Sequence, residues 1–201
     1  GYVLSIPEIL GKTTEAWEKG FQQVFFQGGV NPVIPLSYYT DALSAIKEKY
    51  PTIHIRGFSP VETLSFSRFY HKTPEDIFKD LIRSGLDSFP GAGAEILSSR
   101  MRNVLSSRKT SPEEWYDMMK IAMRLGLKTS TNIVWGSTET DEEIIAHLEL
   151  VRKLQDETGN VLSFVPWTFQ QQTRNFTTRH VPAVEYLKMV SLARLFLDNI
   201  D

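Results

Sequence analysis

Cysteine is absent from all 201 residues. That absence excludes a disulfide framework, a thiolate nucleophile and a cysteine-bound metal within this chain. An excess of either charge is missing as well: 22 Lys and Arg stand against 24 Asp and Glu, a formal net charge of -2. Such a balance gives no electrostatic footprint for nucleic acid or for an anionic membrane surface. No apolar run is long enough to span a bilayer, and the start carries no signal-peptide pattern, so a cytosolic protein is expected. Histidine is scarce. His71, His147 and His180 are scattered without metal-ligand spacing, and no metal site is expected from these residues. Hairpin signals are lacking. There is no initiating methionine, and the chain opens in what reads as a loop, so a fragment is expected.

What is there is an ordinary globular composition, 41% apolar and 23% charged, enough for one sizeable core and a single domain over 1–201. The central stretch runs from Leu127 to Glu139. Leu127 to Trp135 is β-branched and apolar, as a buried strand requires. Gly136 breaks it, and an acidic helix opens at Thr140-Asp-Glu-Glu143. In parallel α/β folds ligands collect at the carboxyl ends of strands. Glu139 could accept hydrogen bonds from a ligand there. The plainer reading is an ordinary β-to-α turn with an acidic residue near the helix start.

The same grammar recurs along the chain. Ser5-Ile-Pro-Glu8, Thr73-Pro-Glu-Asp76 and Ser111-Pro-Glu-Glu114 are capped helix starts. Gly20, Gly85, Gly126 and Gly159 are placed as stops or turns. Ser37 is expected to cap a helix reaching about Tyr50, and Val61 to about Tyr70 reads as another. Strands are expected at Gln22–Phe26, Ile53–Gly57, Leu86–Phe89, Leu127–Trp135 and Val161–Trp167. Ala94 to Leu97 is expected to begin a helical piece. Arg100 to Lys109 is basic and weakly patterned, and the last helix runs from Val181 to the terminus. Five alternations of strand and helix predict βαβ units and a parallel sheet. They are too few for a closed eight-stranded barrel, so the sheet is either open or part of a barrel. A partial barrel leaves strand edges exposed, so the isolated fragment is expected to associate or to be poorly soluble.

Polar or glycine-rich groups stand at the carboxyl end of every predicted strand. Gln27-Gly28-Gly29 lets backbone meet a polar ligand, or is a tight turn; it is not a dinucleotide fingerprint. His54 and Arg56 share one sheet face by alternation. They suit an anionic or carbonyl-bearing substrate, or are a satisfied histidine and a salt-bridged arginine. Gly91-Ala-Gly93 with Glu95 could meet ribose hydroxyls, or be a helix start with an early acid. Trp167, Gln170 and Gln172 could form a stacking and hydrogen-bonding wall, or a surface loop.

Taken in order, several motifs carry a resemblance. They are Gln27-Gly-Gly-Val-Asn-Pro32, Ser37-Tyr-Tyr39, Ile53-His-Ile55, Phe58-Ser-Pro60, Gly85-Leu-Asp-Ser88, Pro90-Gly-Ala-Gly-Ala-Glu-Ile96, Glu114-Trp115, Gly136 with Glu139-Thr140, and Leu154-Gln-Asp-Glu-Thr-Gly159. Together they resemble the radical S-adenosylmethionine (SAM) enzymes of the menaquinone futalosine pathway, over nearly the whole chain. Phe164-Val-Pro-Trp-Thr-Phe-Gln170 is most like the branch that cyclises dehypoxanthine futalosine. The aminofutalosine and deazaflavin-forming FO synthases are related branches.

The resemblance implies a partial (β/α) barrel of the radical SAM type, this chain being its central part without the first strand and cluster loop. It implies a [4Fe-4S] cluster held by a C-x3-C-x2-C loop before Gly1, and cleavage of SAM to a 5′-deoxyadenosyl radical. That radical would take hydrogen from the ribose of dehypoxanthine futalosine, and the sugar radical would cyclise onto the aromatic ring. Gln27, Gly28 and Gly29 match the motif near the methionine amino group, and Glu95 the segment near the ribose. Asn132, Val134, Gly136 and Glu139 loosely match the adenine-side motif. His54, Arg56, Ser59, Trp167 and Gln170 are the implied substrate contacts; no catalytic acid or base is indicated. Arg56, Ala92 and Ser137 depart from the expected histidine, glycine and histidine, and Gln171-Gln172 from a Pro-Gly type loop.

Overall fold

The computed structural model describes residues 2–106, 110–170 and 176–200. The chain divides into two compact units, Gly1–Pro90 and Gly91–Asp201.

The first unit alternates helix and strand: α1 (Ile6–Glu18), β1 (Gln23–Phe26), α2 (Leu36–Lys49), β2 (His54–Gly57), α3 (Pro60–Tyr70), α4 (Pro74–Arg83) and β3 (Ser88–Pro90). β2 lies between β1 and β3, and both pairings are parallel. Ile53 and Ile55 are fully buried, with Leu43 and Ile46 of α2 and Ile77, Phe78 and Leu81 of α4. Each such side chain contributes about 1.5–3 kcal/mol by leaving water. The opposite strand face, with Phe25, His54 and Arg56, is exposed or half-buried.

The second unit holds α5 (Ser99–Leu105), α6 (Pro112–Arg124), β4 (Lys128–Trp135), α7 (Asp141–Thr158), β5 (Val161–Thr168) and α8 (Ala183–Phe196). β4 and β5 are parallel, with a register shift between Thr129 and Ser130. Thr129, Thr131, Ile133 and Trp135 point into the core, while Ser130, Asn132 and Val134 are half-buried on the other face. Trp115, Met119 and Ala122 of α6 and Leu148, Val151 and Leu154 of α7 complete the core. The capping boxes at Ser5, Ser111 and Thr140 form as the spacing predicts.

Several expectations are corrected. Ser37 does not cap α2; Pro35 is the N-cap, without a side-chain bond, because its fixed φ of -71° lets Leu36 enter the helix first. Leu86 and Asp87 precede β3, since the Leu86 N–H bonds back to Leu81 at the end of α4. Ala94 to Leu97 is not helical: Glu95 has a φ of +36°, which no right-handed helix accommodates. The helix begins at Ser99, capped by Ser98, and runs into the stretch from Arg100 read as weakly patterned. α8 stops at Phe196, and Asn199 ties the tail to Arg152, Gln155 and Asp156 of α7.

Candidate functional site

In the first unit, β1 ends at Phe26 and Gln27, Gly28 and Gly29 follow, all exposed. Neither glycine has a positive φ, and an added Cβ on either would meet nothing within 4 Å. Their own fold therefore does not require glycine. The space they leave suits a molecule that must approach the backbone closely. Gly28 N–H donates to Glu62 Oε1 at 2.9 Å.

β2 ends at Gly57, and Phe58 takes the left-handed conformation with a φ of +61°. Ser59 then caps α3. It is buried, donating to Glu62 Oε2 at 2.6 Å and accepting from the Glu62 N–H. Ser59 was expected to meet substrate, yet its hydroxyl is committed inside this turn. His54 Nε2 lies 2.7 Å from Ser88 Oγ. Arg56 is opposite Phe25 in register, its guanidinium 6.0 Å from that ring, and burial lowers its pKa. His54 and Arg56 thus share one face, as their alternation predicts, and the strand register adds Phe25 and Ser88 to it, on the side away from the helices.

In the second unit, the segment from Gly91 to Leu97 is tethered almost residue by residue. Gly91 N–H donates to Ser130 O at 2.8 Å, and the Trp115 indole donates to Ala92 O. The Arg102 guanidinium donates to Gly93 O at 3.0 Å and Ala94 O at 2.8 Å, and also to the Thr110 carbonyl and hydroxyl. Val134 N–H donates to Glu95 O at 3.0 Å, and Leu97 N–H donates to His147 Nδ1 at 3.2 Å. These bonds hold Glu95 in a left-handed backbone, a conformation that costs a non-glycine residue about 1–3 kcal/mol. Backbone strain held by its surroundings is a mark of functional positions.

Gly136 has a φ of +99°, and a Cβ there would come within 2.8 Å of Val181. Glu139 accepts from Gly136 N–H at 2.6 Å and from Ser137 N–H at 2.8 Å. Its carboxylate closes its own turn, before the α7 cap rather than within the helix. Trp167 is the register partner of Val134 and is 59% exposed, so one sheet face carries Asn132, Val134, Val165 and Trp167. Gln170 is exposed beyond the strand, and Gln171 and Gln172 lie outside the described residues.

Three residues escaped the sequence reading as site elements: Glu62, Arg102 and His147. Ser59-Pro-Val-Glu62 has the S-x-x-E spacing and was the available signal. Arg102 lies in a stretch that reads as basic and weakly patterned, and nothing local marks it as buried. A cavity of about 440 Å³ lined by Ser37, Thr40, Tyr70, Lys72 and Arg83 contains none of the candidate residues. Among the described residues, no group of three or more His, Cys, Asp or Glu is placed to hold a metal ion. No described helix is long and apolar enough to cross a membrane.

The chain is 39% identical over 201 residues to the cyclic dehypoxanthine futalosine synthase of Halalkalibacterium halodurans, covering 100% of this chain and 54% of that protein. A 5-amino-6-(D-ribitylamino)uracil–L-tyrosine 4-hydroxyphenyl transferase of Methanosarcina acetivorans is 35% identical, with coverage of 100% and 56%. The aminodeoxyfutalosine synthase of Thermus thermophilus is 32% identical, with coverage of 96% and 54%. The chain therefore spans about half the length of the curated relatives it matches. In fold it is similar to crystalline methylornithine synthase, with a TM-score of 0.72, 15% identity, and coverage of 99% of this chain and 55% of that one. The strand–helix alternation is thus that of radical SAM barrel enzymes, as the resemblance implied. The Radical SAM superfamily model matches residues 1–151, and the chain belongs to the radical SAM superfamily.

Proposed function

We propose that this chain is part of a radical SAM enzyme that cyclises dehypoxanthine futalosine in menaquinone biosynthesis. The observation that carries the reading is the likeness, along all of this chain, to a cyclic dehypoxanthine futalosine synthase. In the first unit, the turn at Gln27, Gly28 and Gly29 is assigned to the methionine end of SAM. Its open glycines support that assignment. In the second, Glu95 is assigned to the ribose and Val134, Gly136 and Glu139 to the adenine side, with Glu139 acting by closing the turn. His54, Arg56, Trp167 and Gln170 are assigned to substrate. Ser59 contributes by shaping the α3 turn.

SAM bound at a [4Fe-4S] cluster supplies a hydrogen-abstracting radical. No cysteine is present in this chain, so these residues do not fit the cluster, whose ligands the proposal assigns to sequence outside it. What this chain offers is orientation: a pinned loop for Glu95, a glycine turn and an aromatic face at Trp167.

The test uses the intact protein, reconstituted anaerobically with iron and sulfide and given SAM, reductant and dehypoxanthine futalosine. Mass spectrometry should find 5′-deoxyadenosine together with an isomer of the substrate. 5′-Deoxyadenosine without the isomer moves the substrate elsewhere. The 32% likeness to an aminodeoxyfutalosine synthase and the 35% likeness to a tyrosine-using transferase name the next substrates to try. If no SAM is cleaved, the chain is a non-catalytic binding module.

A further inference from the structure

Helices α1 and α6 each place a glutamate three residues after a serine cap, and each closes its own capping box at the helix start. α3 has the same spacing at Ser59 and Glu62, with a different outcome. Glu62 is only 4% exposed, and one of its oxygens reaches 34 residues back along the chain to the Gly28 N–H. The other accepts from Ser59 Oγ, and the Gln27 side chain also bonds to this carboxylate. Burying a carboxylate is costly unless its oxygens are hydrogen-bonded. Helix capping alone does not require that burial, because Glu8 caps α1 from an exposed position.

The approach of α3 to the β1 turn depends on a second uncommon feature. Phe58 sits between β2 and the cap with a φ of +61°, its N–H donating to Phe26 O at 2.8 Å and its ring fully buried beside Phe26, Tyr39 and Phe66. A left-handed phenylalanine is held by this packing, and it turns the chain so that Ser59 and Glu62 face Gly28. One residue further, Gly29 stands in open space. The turn thus has one end anchored inward and the next residue presented outward.

We propose that Glu62 is a positioning residue that sets the Gln27-Gly28-Gly29 turn for the ligand bound there. The assignment of that ligand as the amino-acid end of SAM rests on the proposed function; the anchoring itself does not.

The experiment compares E62Q, E62D and E62L with the unaltered intact protein. Two readouts are taken: hydrogen exchange of the Gln27–Gly29 amides without ligand, and binding of S-adenosylhomocysteine by calorimetry. In E62Q the carboxamide oxygen still accepts from Gly28, so exchange and affinity should stay within about threefold. In E62L the Gly28 donor loses its charged partner, and both should worsen by about tenfold or more, the ordinary worth of a hydrogen bond to a carboxylate. E62D keeps the charge and the helix start but falls short of Gly28, so it should behave as E62L does. If E62L fails to fold, E62D decides. Unchanged exchange in E62D or E62L overturns the proposal. Faster exchange with unchanged affinity also overturns the positioning role. If the unaltered protein binds no S-adenosylhomocysteine, the SAM reading fails, while the exchange comparison still judges the anchoring.

Discussion

His147 Nδ1 accepts the Leu97 N–H at 3.2 Å, joining the middle of α7 to the end of the Glu95 loop across 50 residues of sequence. The ring is fully buried and packs near Phe164. It therefore acts as a neutral acceptor within the second unit.

Burial lowers the pKa of His147 from 6.5 to about 3, against a smaller opposing effect of the Asn132 backbone and with the Arg102 cation adding to the fall. The folded state resists protonation that the unfolded state accepts. Stability from this residue is thus complete above about pH 6.5 and is lost as pH falls from there toward 3. Urea midpoints measured across that range should decline. His147→Gln, which keeps an acceptor but cannot titrate, should flatten the decline between pH 6.5 and 5.

Glu143 behaves in a separate window. Arg100 beside it, with Ser98 and the Thr140 N–H, holds its pKa down at about 2. A depressed carboxylate stabilises the fold above its ordinary value of 4.5 and loses that contribution as pH drops toward 2. Glu143→Gln should lower the thermal midpoint at pH 7 and leave it nearly unchanged at pH 2, as read by circular dichroism.

Glycines 28 and 91 should part company under the same substitution. A Cβ at Gly91 would lie 2.3 Å from Ser130 O, whereas one at Gly28 meets nothing within 4 Å. Gly91→Ala should cost about 3 kcal/mol, because the β4 backbone must move. Gly28→Ala should change stability by less than about 0.5 kcal/mol yet weaken S-adenosylhomocysteine binding. Denaturant titration and calorimetry on the two variants check both statements.

Glu95 tests whether the left-handed backbone serves stability or binding. Glu95→Gly should be more stable than Glu95→Ala by about 1 kcal/mol, since glycine adopts a φ of +36° without steric cost. Both should lose affinity for S-adenosylhomocysteine. Retained affinity in both would remove Glu95 from the ribose role.

Much of this protein is written in interactions between near neighbours. Ser5, Thr73, Ser111 and Thr140 cap their helices because a side-chain oxygen reaches a backbone N–H three residues on. Gly20, Gly85, Gly126 and Gly159 all take positive φ where a helix stops. The alternation in His54-Ile-Arg56 assigns faces, since side chains along a strand point to opposite sides. The alternation of strands and helices, the fold class and the glycine-rich strand ends followed from such local chemistry.

What only the tertiary structure decided depends on groups far apart in sequence. The stretch from Ala94 to Leu97 has helix-forming residues, but Arg102, Val134 and His147 take its backbone groups and leave Glu95 left-handed. Glu62 looks like an ordinary helix-start acid until α3 is brought to Gly28. Residue pattern encodes which groups need partners, and packing chooses the partners, because a buried donor or charge must be satisfied by whatever the fold brings within reach.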